Sequence, residues 1–391
     1  MRYPQRRQAD PSKVSDVWDS RNLAELKETP VMVDGAELDH CYFSEPEDIA
    51  VAVCTDSCLL FNRKRDGPSA TPILLVNYNI PPEQRVHLDN LMCLGIMPNN
   101  PVDQRSYMCL LDDEFAELAR GATVFHAEHG PDFVLHVYAI TCLGDIIAIQ
   151  KMLNQKGCNS EVPCRFCLIH GTRWELACVK IYYYPLSWPW VVDGTRRVWD
   201  PLDLPPRTQT TLDLALSRIA AATTKKGKEE QARYFGIRGL AVLRRVRSLI
   251  HGRSYPHDIM HLFFENIIPN LYFLWIGEFK GLGGGEGKWL IPKAIWDLIW
   301  GETAEAMKLI PSAFTRSLAG GVSKFTAEAW CFWFVWMFPG LLKNRFPQAK
   351  YYEHACNLGK IIKLCLRWEI KHSEIDRLET MIVDWVRKYE E

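Results

Sequence analysis

The sequence lacks a large net charge of either sign. Its 46 lysines and arginines almost balance its 47 aspartates and glutamates, which gives a formal net charge of −1 over 391 residues. Such a balance excludes a protein that is attracted as a whole to nucleic acid or to an acidic surface. Two local basic clusters are present: Lys225, Lys226 and Lys228, and Arg244, Arg245, Arg247 and Arg253. A cluster of this size is by itself more typical of a solvated surface.

The sequence also lacks an apolar run long enough to cross a membrane, which takes about 20 residues. The run at 330–342 is too short and contains Pro339, so it predicts a buried helix. No apolar secretion signal follows the polar start at 1–13, and the 13 cysteines have irregular spacing rather than that of a disulfide framework. We therefore expect a protein of a reducing compartment that does not contact a membrane and keeps most of its thiols free.

Apolar runs in the first half of the chain predict a mixed α/β fold. The predicted elements are, in order, strands at 49–56, 71–78 and 88–97, a helix at 112–120, a strand at 133–142 and a helix at 146–153. The first two strands should form an antiparallel hairpin around a charged turn at 62–67. This order is that of a ribonuclease-H-like sheet, in which the first and fourth strands are neighbours. Asp56 and Asp145, which follow these two strands, are then expected to lie near each other.

The remaining sequence predicts helices and irregular segments around this core. Pro256 suits the first position of a helix that covers 257–274 and bends at Pro269. The glycine-rich loop at 281–287 lacks the Lys-Ser/Thr of a phosphate-binding loop and is expected to be a connector. Beyond it, two apolar stripes predict core helices: Trp330, Phe334 and Phe338, and Ile361, Leu364 and Trp368. The predicted division is an N-terminal segment at 1–48, a core at 49–290 with an irregular and helical insertion at 157–252, and a helical C-terminal region at 291–391.

Four residues have the spacing of zinc ligands. Cys164 and Cys167 are separated by two residues, so both thiolates can reach one tetrahedral ion. His257 and His261 are four residues apart, which places them on one face of a predicted helix. Together they predict a Cys2His2 zinc site that is structural rather than catalytic. The alternatives are an incidental cysteine pair, a histidine at a helix start and a histidine satisfied in the core.

Three isolated carboxylates, Asp56, Asp145 and Glu265, predict a second metal centre. Phosphodiester cleavage by a two-metal mechanism needs several acidic side chains that converge on Mg²⁺ or Mn²⁺. Glu265 follows His257 by eight residues and would share its helix face within about 80°. Each residue also has a structural interpretation, since Asp56 and Asp145 are typical of turns or helix caps and Glu265 of a helix rim. The set in this order favours a metal-dependent nuclease.

Several segments resemble the transposase core of fungal CACTA (En/Spm-like) elements, in particular the Plavaka-type branch. The most specific are Pro-Cys-Arg-Phe-Cys at 163–167 and Tyr-Pro-His-Asp-Ile-Met-His-Leu-Phe-Phe-Glu at 255–265. The resemblance starts near residue 15 and covers most of the chain. Further matching segments lie at 55–61, 72–85, 144–148, 274–280, 291–296, 310–314 and 361–370.

The resemblance implies a DDE-type transposase that cleaves a phosphodiester bond at an element end and transfers the strand to target DNA. Asp56 and Asp145 match the first two acidic positions of the family, and the candidates for the third are Glu265, then Glu278, then Asp258. Transposon ends and target DNA would be the partners, a homo-oligomer is expected, and the location would be the nucleus. Ser57 stands where the family more often has glycine, and no separate DNA-binding domain is recognisable. The alternative is therefore a catalytically inactive or domesticated relative that binds DNA or protein.

Overall fold

The computed structural model describes residues 2–61, 67–127, 130–176, 179–191, 194–279, 287–315, 318 and 322–391. The predicted turn at 62–67 and the glycine-rich loop at 281–287 lie almost wholly outside these residues. The chain forms two compact units, Met1–Pro256 and His257–Glu391. The three-part division expected from the sequence stays a prediction. No helix in the described ranges has both the length and the apolar character needed to cross a membrane.

The first unit contains a mixed α/β arrangement. Its strands are β1 (Lys13–Val14), β2 (Pro30–Val33), β3 (Ala36–Cys41), β4 (Ile49–Thr55), β5 (Cys58–Leu59), β6 (Ser69–Asn77), β7 (Leu91–Pro98), β8 (Ala122–Phe125), β9 (Asp132–Leu135), β10 (Val137–Leu143), β11 (Thr172–Leu176) and β12 (Val179–Tyr183). Its α-helices are α1 (Tyr3–Arg6), α2 (Arg21–Lys27), α3 (Pro82–Arg85), α4 (Arg105–Arg120), α5 (Ile146–Met152), α6 (Gln209–Ala221) and α7 (Lys225–Phe235). Short 3₁₀ turns lie at Val17–Asp19, Leu88–Asn90 and Gly157–Asn159.

The central sheet has the strand order β7, β6, β4, β10. β4 pairs with β6 in antiparallel register, with Thr55 opposite Ile73, and β6 pairs with β7 in the same sense. β10 is parallel to β4, with Leu143 opposite Cys54. The predicted hairpin, the third strand and the neighbouring positions of the first and fourth strands are therefore confirmed. β5 continues the pairing with β6 beyond the end of β4, with Cys58 opposite Ala70.

β4 is covered on both faces, which explains its unbroken apolar sequence. Because side chains alternate along a strand, Ile49, Val51 and Val53 face one core and Ala50 and Ala52 face the other. The first core also contains side chains from α4, α5 and the end of the insertion: Met108, Phe115, Ile149, Met152, Val242, Leu243 and Val246. The second is closed by side chains that precede β4: Leu23, Leu26, Val31, Val33 and Tyr42. The N-terminal segment thus forms a packed layer on the sheet.

Two predicted elements of the sheet region have different bounds in the structure. The strand expected at 133–142 is divided at His136, whose Nδ1 lies 2.9 Å from Oδ1 of Asp48 and whose carbonyl accepts a 2.9 Å hydrogen bond from Ile49 N. Before this histidine β9 pairs with β8, and after it β10 pairs with β4. The helix expected at 112–120 begins at Arg105, because the apolar face extends back to the fully buried Met108.

The insertion returns to the sheet at its end. After α6 and α7, the two helices of the insertion, the chain runs beside β10 without regular structure. Cys142 N donates to Ser254 O at 2.7 Å, and Ser248 Oγ donates to Ala139 O at 2.6 Å. These bonds occupy polar backbone groups of β10 on its outer side, so the chain at 248–254 covers this strand.

The second unit is helical, as expected. It consists of a π-helix (Met260–Ile267), α8 (Ile268–Trp275), α9 (Lys293–Met307), a 3₁₀ turn (Val322–Lys324), α10 (Ala327–Phe332), a second π-helix (Trp333–Met337), α11 (Phe338–Leu341), α12 (Ala349–Cys365), β13 (Ile370–Lys371) and α13 (His372–Glu390). Trp330, Phe334 and Phe338 are buried in its aromatic core, which confirms the first apolar stripe. The second stripe is wrong at Trp368, which is 80% exposed because α12 ends at Cys365.

Both π-helices precede a proline at the second position of the next helix, Pro269 in α8 and Pro339 in α11. Proline has no N–H to donate, and its ring collides with the carbonyl four residues earlier. Widening the preceding turn moves that carbonyl away, and the N–H of Ile268 then donates to Phe263 O, five residues back. Pro269 is therefore accommodated by a π-helix, and the bend expected at this residue stays a prediction.

Candidate active site

Asp56 and Asp145 lie at the same edge of the central sheet, the one formed by the carboxyl ends of β4 and β10. Asp56 directly follows β4, and Asp145 follows β10 after one glycine. Since β4 and β10 are parallel neighbours, both strands deliver the next residues to one edge. Gly144 packs closely against the end of β4, where a Cβ atom at residue 144 would stand 2.7 Å from Thr55 O. The structure thus places two residues that are far apart in the sequence at the same end of neighbouring strands.

Replacing Gly144 by alanine should disturb this edge. The new methyl group would meet Thr55 O at 2.7 Å and Ala148 Cβ at 2.9 Å, both closer than real Cβ contacts. We expect Gly144→Ala to lower the free energy of unfolding by about 1–3 kcal/mol, the usual cost of overpacking. Urea denaturation measures this loss. Gly95→Ala is the matched control, because a Cβ in β7 at that position meets nothing within 4 Å; equal stability losses in the two variants would contradict the close approach.

Both carboxylates are oriented by backbone groups. Asp56 Oδ1 accepts a 2.7 Å hydrogen bond from Ser57 N, and Asp145 Oδ1 accepts a 2.6 Å hydrogen bond from Ala148 N. Asp145 is therefore the N-cap of α5, where the helix dipole favours a negative charge. Among the described residues, no further hydrogen bond reaches either carboxylate. The interpretation of Asp145 as a helix cap is correct, and it leaves the second carboxylate oxygen available for a cation.

A lysine that sequence reasoning missed lies near Asp145. Lys151 Nζ donates to the side-chain oxygen of Asn100, which follows β7. Burial lowers the pKa of Lys151, while the negative charge of Asp145 raises it. Residue spacing carries no signal for this neighbourhood, because residues six apart do not share a helix face. Asp145 therefore has a cation among its electrostatic neighbours.

The three candidates for a third acidic ligand all lie in the second unit. Glu265 is on the first π-helix with a half-exposed side chain, and its Oε2 is 3.6 Å from Nε2 of His261. Asp258 uses both of its oxygens: Oδ1 accepts from Met260 N at 2.8 Å, and Oδ2 lies 3.0 Å from Nδ1 of His261. Glu278 N donates to Phe273 O at the end of α8. The choice of Glu265 over Glu278 and Asp258 stays a prediction.

The helix argument for the two histidines is wrong. Helical structure begins at Ile259, not at Pro256, so His257 precedes the helix that contains His261. Asp258 caps this helix, because Leu262 N donates to its carbonyl at 2.9 Å and its side chain accepts from Met260 N. His257 therefore shares no helix face with His261 or Glu265. Whether His257 binds a metal stays a prediction that no longer rests on helix geometry.

Cys164 and Cys167 form a tight turn in which sulfur accepts backbone hydrogen bonds. Cys164 Sγ lies 3.3 Å from Phe166 N and 3.4 Å from Cys167 N. The Cys167 thiol also donates to Cys164, which lowers the pKa of Cys164 below its usual range, although burial opposes this. The same contact, together with burial, raises the pKa of Cys167. The turn thus stabilises a thiolate, which is the form that binds zinc.

Two buried arginines fix this turn, and sequence reasoning missed both. Arg207 Nε donates to Cys164 O at 2.9 Å, and its Nη2 donates to Val162 O at 3.0 Å. Arg165 Nε donates to Tyr255 O at 2.7 Å. Burial lowers the pKa of each guanidinium, and the negative charge on Cys164 raises it. The arginines therefore rigidify the turn and place positive charge beside its thiolate.

Neither unit by itself, within the described ranges, gathers three or more histidine, cysteine, aspartate or glutamate side chains into a group that could hold a metal ion. The first unit supplies two pairs, Asp56 with Asp145 and Cys164 with Cys167. No protein-family model matches the chain, and a search of the curated proteins returns no significant match.

Proposed function

We propose that this protein is a DDE-type DNA transposase core with a ribonuclease-H-like sheet. The observation that carries the proposal is the delivery of Asp56 and Asp145 to one sheet edge by the parallel strands β4 and β10. The strand order β7, β6, β4, β10, in which only the pairing of β4 with β10 is parallel, agrees with that of a ribonuclease-H-like sheet. The sequence resemblance to CACTA transposases supports the same assignment independently of the strand order.

Asp56 and Asp145 fit Mg²⁺ or Mn²⁺ as ligands, because both ions prefer carboxylate oxygens. The third ligand is proposed to be Glu265. Bound metal ions of this kind lower the pKa of an attacking oxygen and neutralise charge on the leaving oxygen. The backbone hydrogen bonds from Ser57 and Ala148 hold each carboxylate in one direction, so few conformations compete with metal binding.

The protein's own residues would orient the DNA at this edge. Lys151, whose Nζ donates to the side-chain oxygen of Asn100, would pair its ammonium group with a phosphate next to the scissile bond. In the first reaction, a water oxygen bonds to phosphorus and the bond from phosphorus to the 3′ oxygen breaks. In the second, the freed 3′ oxygen attacks a phosphorus atom of the target DNA and displaces another 3′ oxygen. The number of phosphodiester bonds is unchanged in this second step.

Cys164 and Cys167 fit structural Zn²⁺, since their turn already favours a thiolate. The other ligands are proposed to be His257 and His261. Asp258 accepts from Nδ1 of His261, which leaves Nε2 as the nitrogen with the lone pair and is a common arrangement for a metal-binding histidine. Binding to transposon ends and target DNA, assembly of copies into a homo-oligomer, and a nuclear location belong to the same proposal.

Nicking of supercoiled plasmid DNA tests the proposed activity. We expect the purified chain to convert supercoiled to open-circular DNA with Mg²⁺ or Mn²⁺ and to leave it unchanged with EDTA. DNA binding without nicking would instead favour the catalytically inactive relative. A chain that neither nicks nor binds DNA would contradict the assignment to transposases altogether.

A further inference from the structure

The two basic clusters of the sequence have different surroundings in the structure. The arginine cluster is used in ion pairs that hold the first unit together. Arg245 Nε lies 2.7 Å from Asp34 Oδ1, and the same guanidinium also pairs with Asp113. Arg253 pairs with Glu25 of α2. These contacts account for two of the four arginines of the cluster, Arg245 and Arg253.

The lysine cluster, in contrast, lines an open cleft beside α6 and α7. The cleft has a volume of about 930 Å³, and its walls are formed by Ile219, Thr223, Lys225, Lys226, Lys228, Glu229, Ala232 and Arg238. Glu229, the one acid among the described residues of this lining, pairs with Lys156. The side chain of Lys226 is 88% exposed, and its Nζ comes no closer than 3.9 Å to Oε1 of Glu230. The described lining therefore carries an excess of positive charge in a chain whose net charge is −1.

Folding does not explain the positions of these lysines. Thr224 caps α7, so Lys225, Lys226 and Lys228 occupy its first and second turns, and its first turn contains no acid. The N-terminal end of a helix carries partial positive charge, and cations there destabilise the helix. An anion in the cleft would reverse this effect, because it would be attracted by both the lysines and the helix end. The arrangement favours binding at the expense of helix stability.

We propose that this cleft, the lysine cleft, binds the sugar-phosphate backbone of duplex DNA. This inference rests on the proposed function, which makes DNA the partner. The described lining has no aromatic side chain, whereas binding of single-stranded nucleic acid typically uses aromatic rings on which bases stack. Flexible lysines contact phosphates without reading bases. The lysine cleft thus holds DNA independently of sequence, at a surface formed by the insertion rather than by the carboxylate edge.

The double variant Lys225→Glu/Lys226→Glu tests the proposal in the full chain. We expect its affinity for a duplex oligonucleotide, measured by fluorescence anisotropy in EDTA, to fall roughly 10-fold or more. The slope of log affinity against log salt should become shallower by about two, since each lost phosphate contact contributes about 0.9. The melting temperature should stay equal or rise, because acids replace cations at the start of α7. A merely damaged fold would lower both affinity and melting temperature.

Lys288→Glu/Lys293→Glu is the matched control, since it changes net charge equally and Lys293 is also the first residue of a helix. Equal losses of affinity in the two double variants would overturn the lysine cleft in favour of a general charge effect. Unchanged duplex binding in Lys225→Glu/Lys226→Glu would overturn it as well, as would a loss confined to single-stranded RNA. Absence of DNA binding by the unmodified chain would contradict the proposed function itself, so the two failures are distinguishable.

Discussion

Asp145→Asn abolishes Mg²⁺-dependent nicking and leaves the fold intact: this is the largest effect that we expect from a single substitution. Asparagine is as good an N-cap as aspartate, so Ala148 N keeps an oxygen acceptor and α5 keeps its start. The lost negative charge, however, is the one that a metal ion needs. Metal ligation contributes several kcal/mol to phosphoryl transfer, and about 1.4 kcal/mol corresponds to a factor of ten in rate. The nicking rate should therefore fall on the order of 10³-fold or more.

Asp384→Asn provides the control for Asp145→Asn, because it removes one exposed carboxylate from α13 and changes the net charge equally. Near-ultraviolet circular dichroism and urea denaturation report whether each variant is folded. Nicking by Asp145→Asn at the unmodified rate would remove Asp145 from the active site. Loss of nicking together with loss of stability would instead assign Asp145 a role in folding, contrary to the expectation that asparagine preserves the cap.

Cys164→Ser removes zinc from the protein, and this is the second large effect that we expect. Serine can still accept from Phe166 N and Cys167 N, but its hydroxyl is not deprotonated at neutral pH and is a poor zinc ligand. Changes outside the ligand set already cost roughly 10–100-fold in metal affinity, so loss of a direct ligand should cost more. Elemental analysis should find about one zinc ion per unmodified chain and far less in Cys164→Ser.

The control for Cys164→Ser is Cys158→Ser, which replaces an exposed cysteine six residues earlier. Zinc content should be unchanged in this control. A zinc-free unmodified protein, or equal zinc content in the two variants, would exclude the cysteine turn as a metal site. The same measurement on His257→Ala and His261→Ala decides whether the two histidines supply the remaining ligands.

The strand pattern of the first unit was predictable because its apolar sequence has a single physical explanation. A run such as that of β4, apolar at both alternations, has to be covered on both faces and therefore lies inside a sheet. The break at His136 was not predictable, since it depends on the buried contact with Asp48, 88 residues away. The start of α4 could have been found, because Met108 and Phe115 are two turns apart and share one face.

The candidate site was predictable only where backbone direction determines it. Asp56 and Asp145 follow parallel neighbours, so their common edge follows from the fold. Lys151, Arg165 and Arg207 act through long side chains, whose reach has no signature in spacing. His257 was misplaced because two helix-start signals compete at Pro256 and Asp258, and the side-chain cap of Asp258 determines the start.

The π-helix at Met260–Ile267 has a consequence for how this unit can change over evolution. A π-helix is equivalent to an α-helix with one inserted residue, and here Pro269 stabilises that insertion. Deleting one residue from the segment would restore α-helical spacing and rotate His261 and Glu265 by about 100° relative to α8. The direction of both side chains is thus set by a proline that is not one of the proposed ligands. Homologous chains that lose this proline should also lose one residue before it.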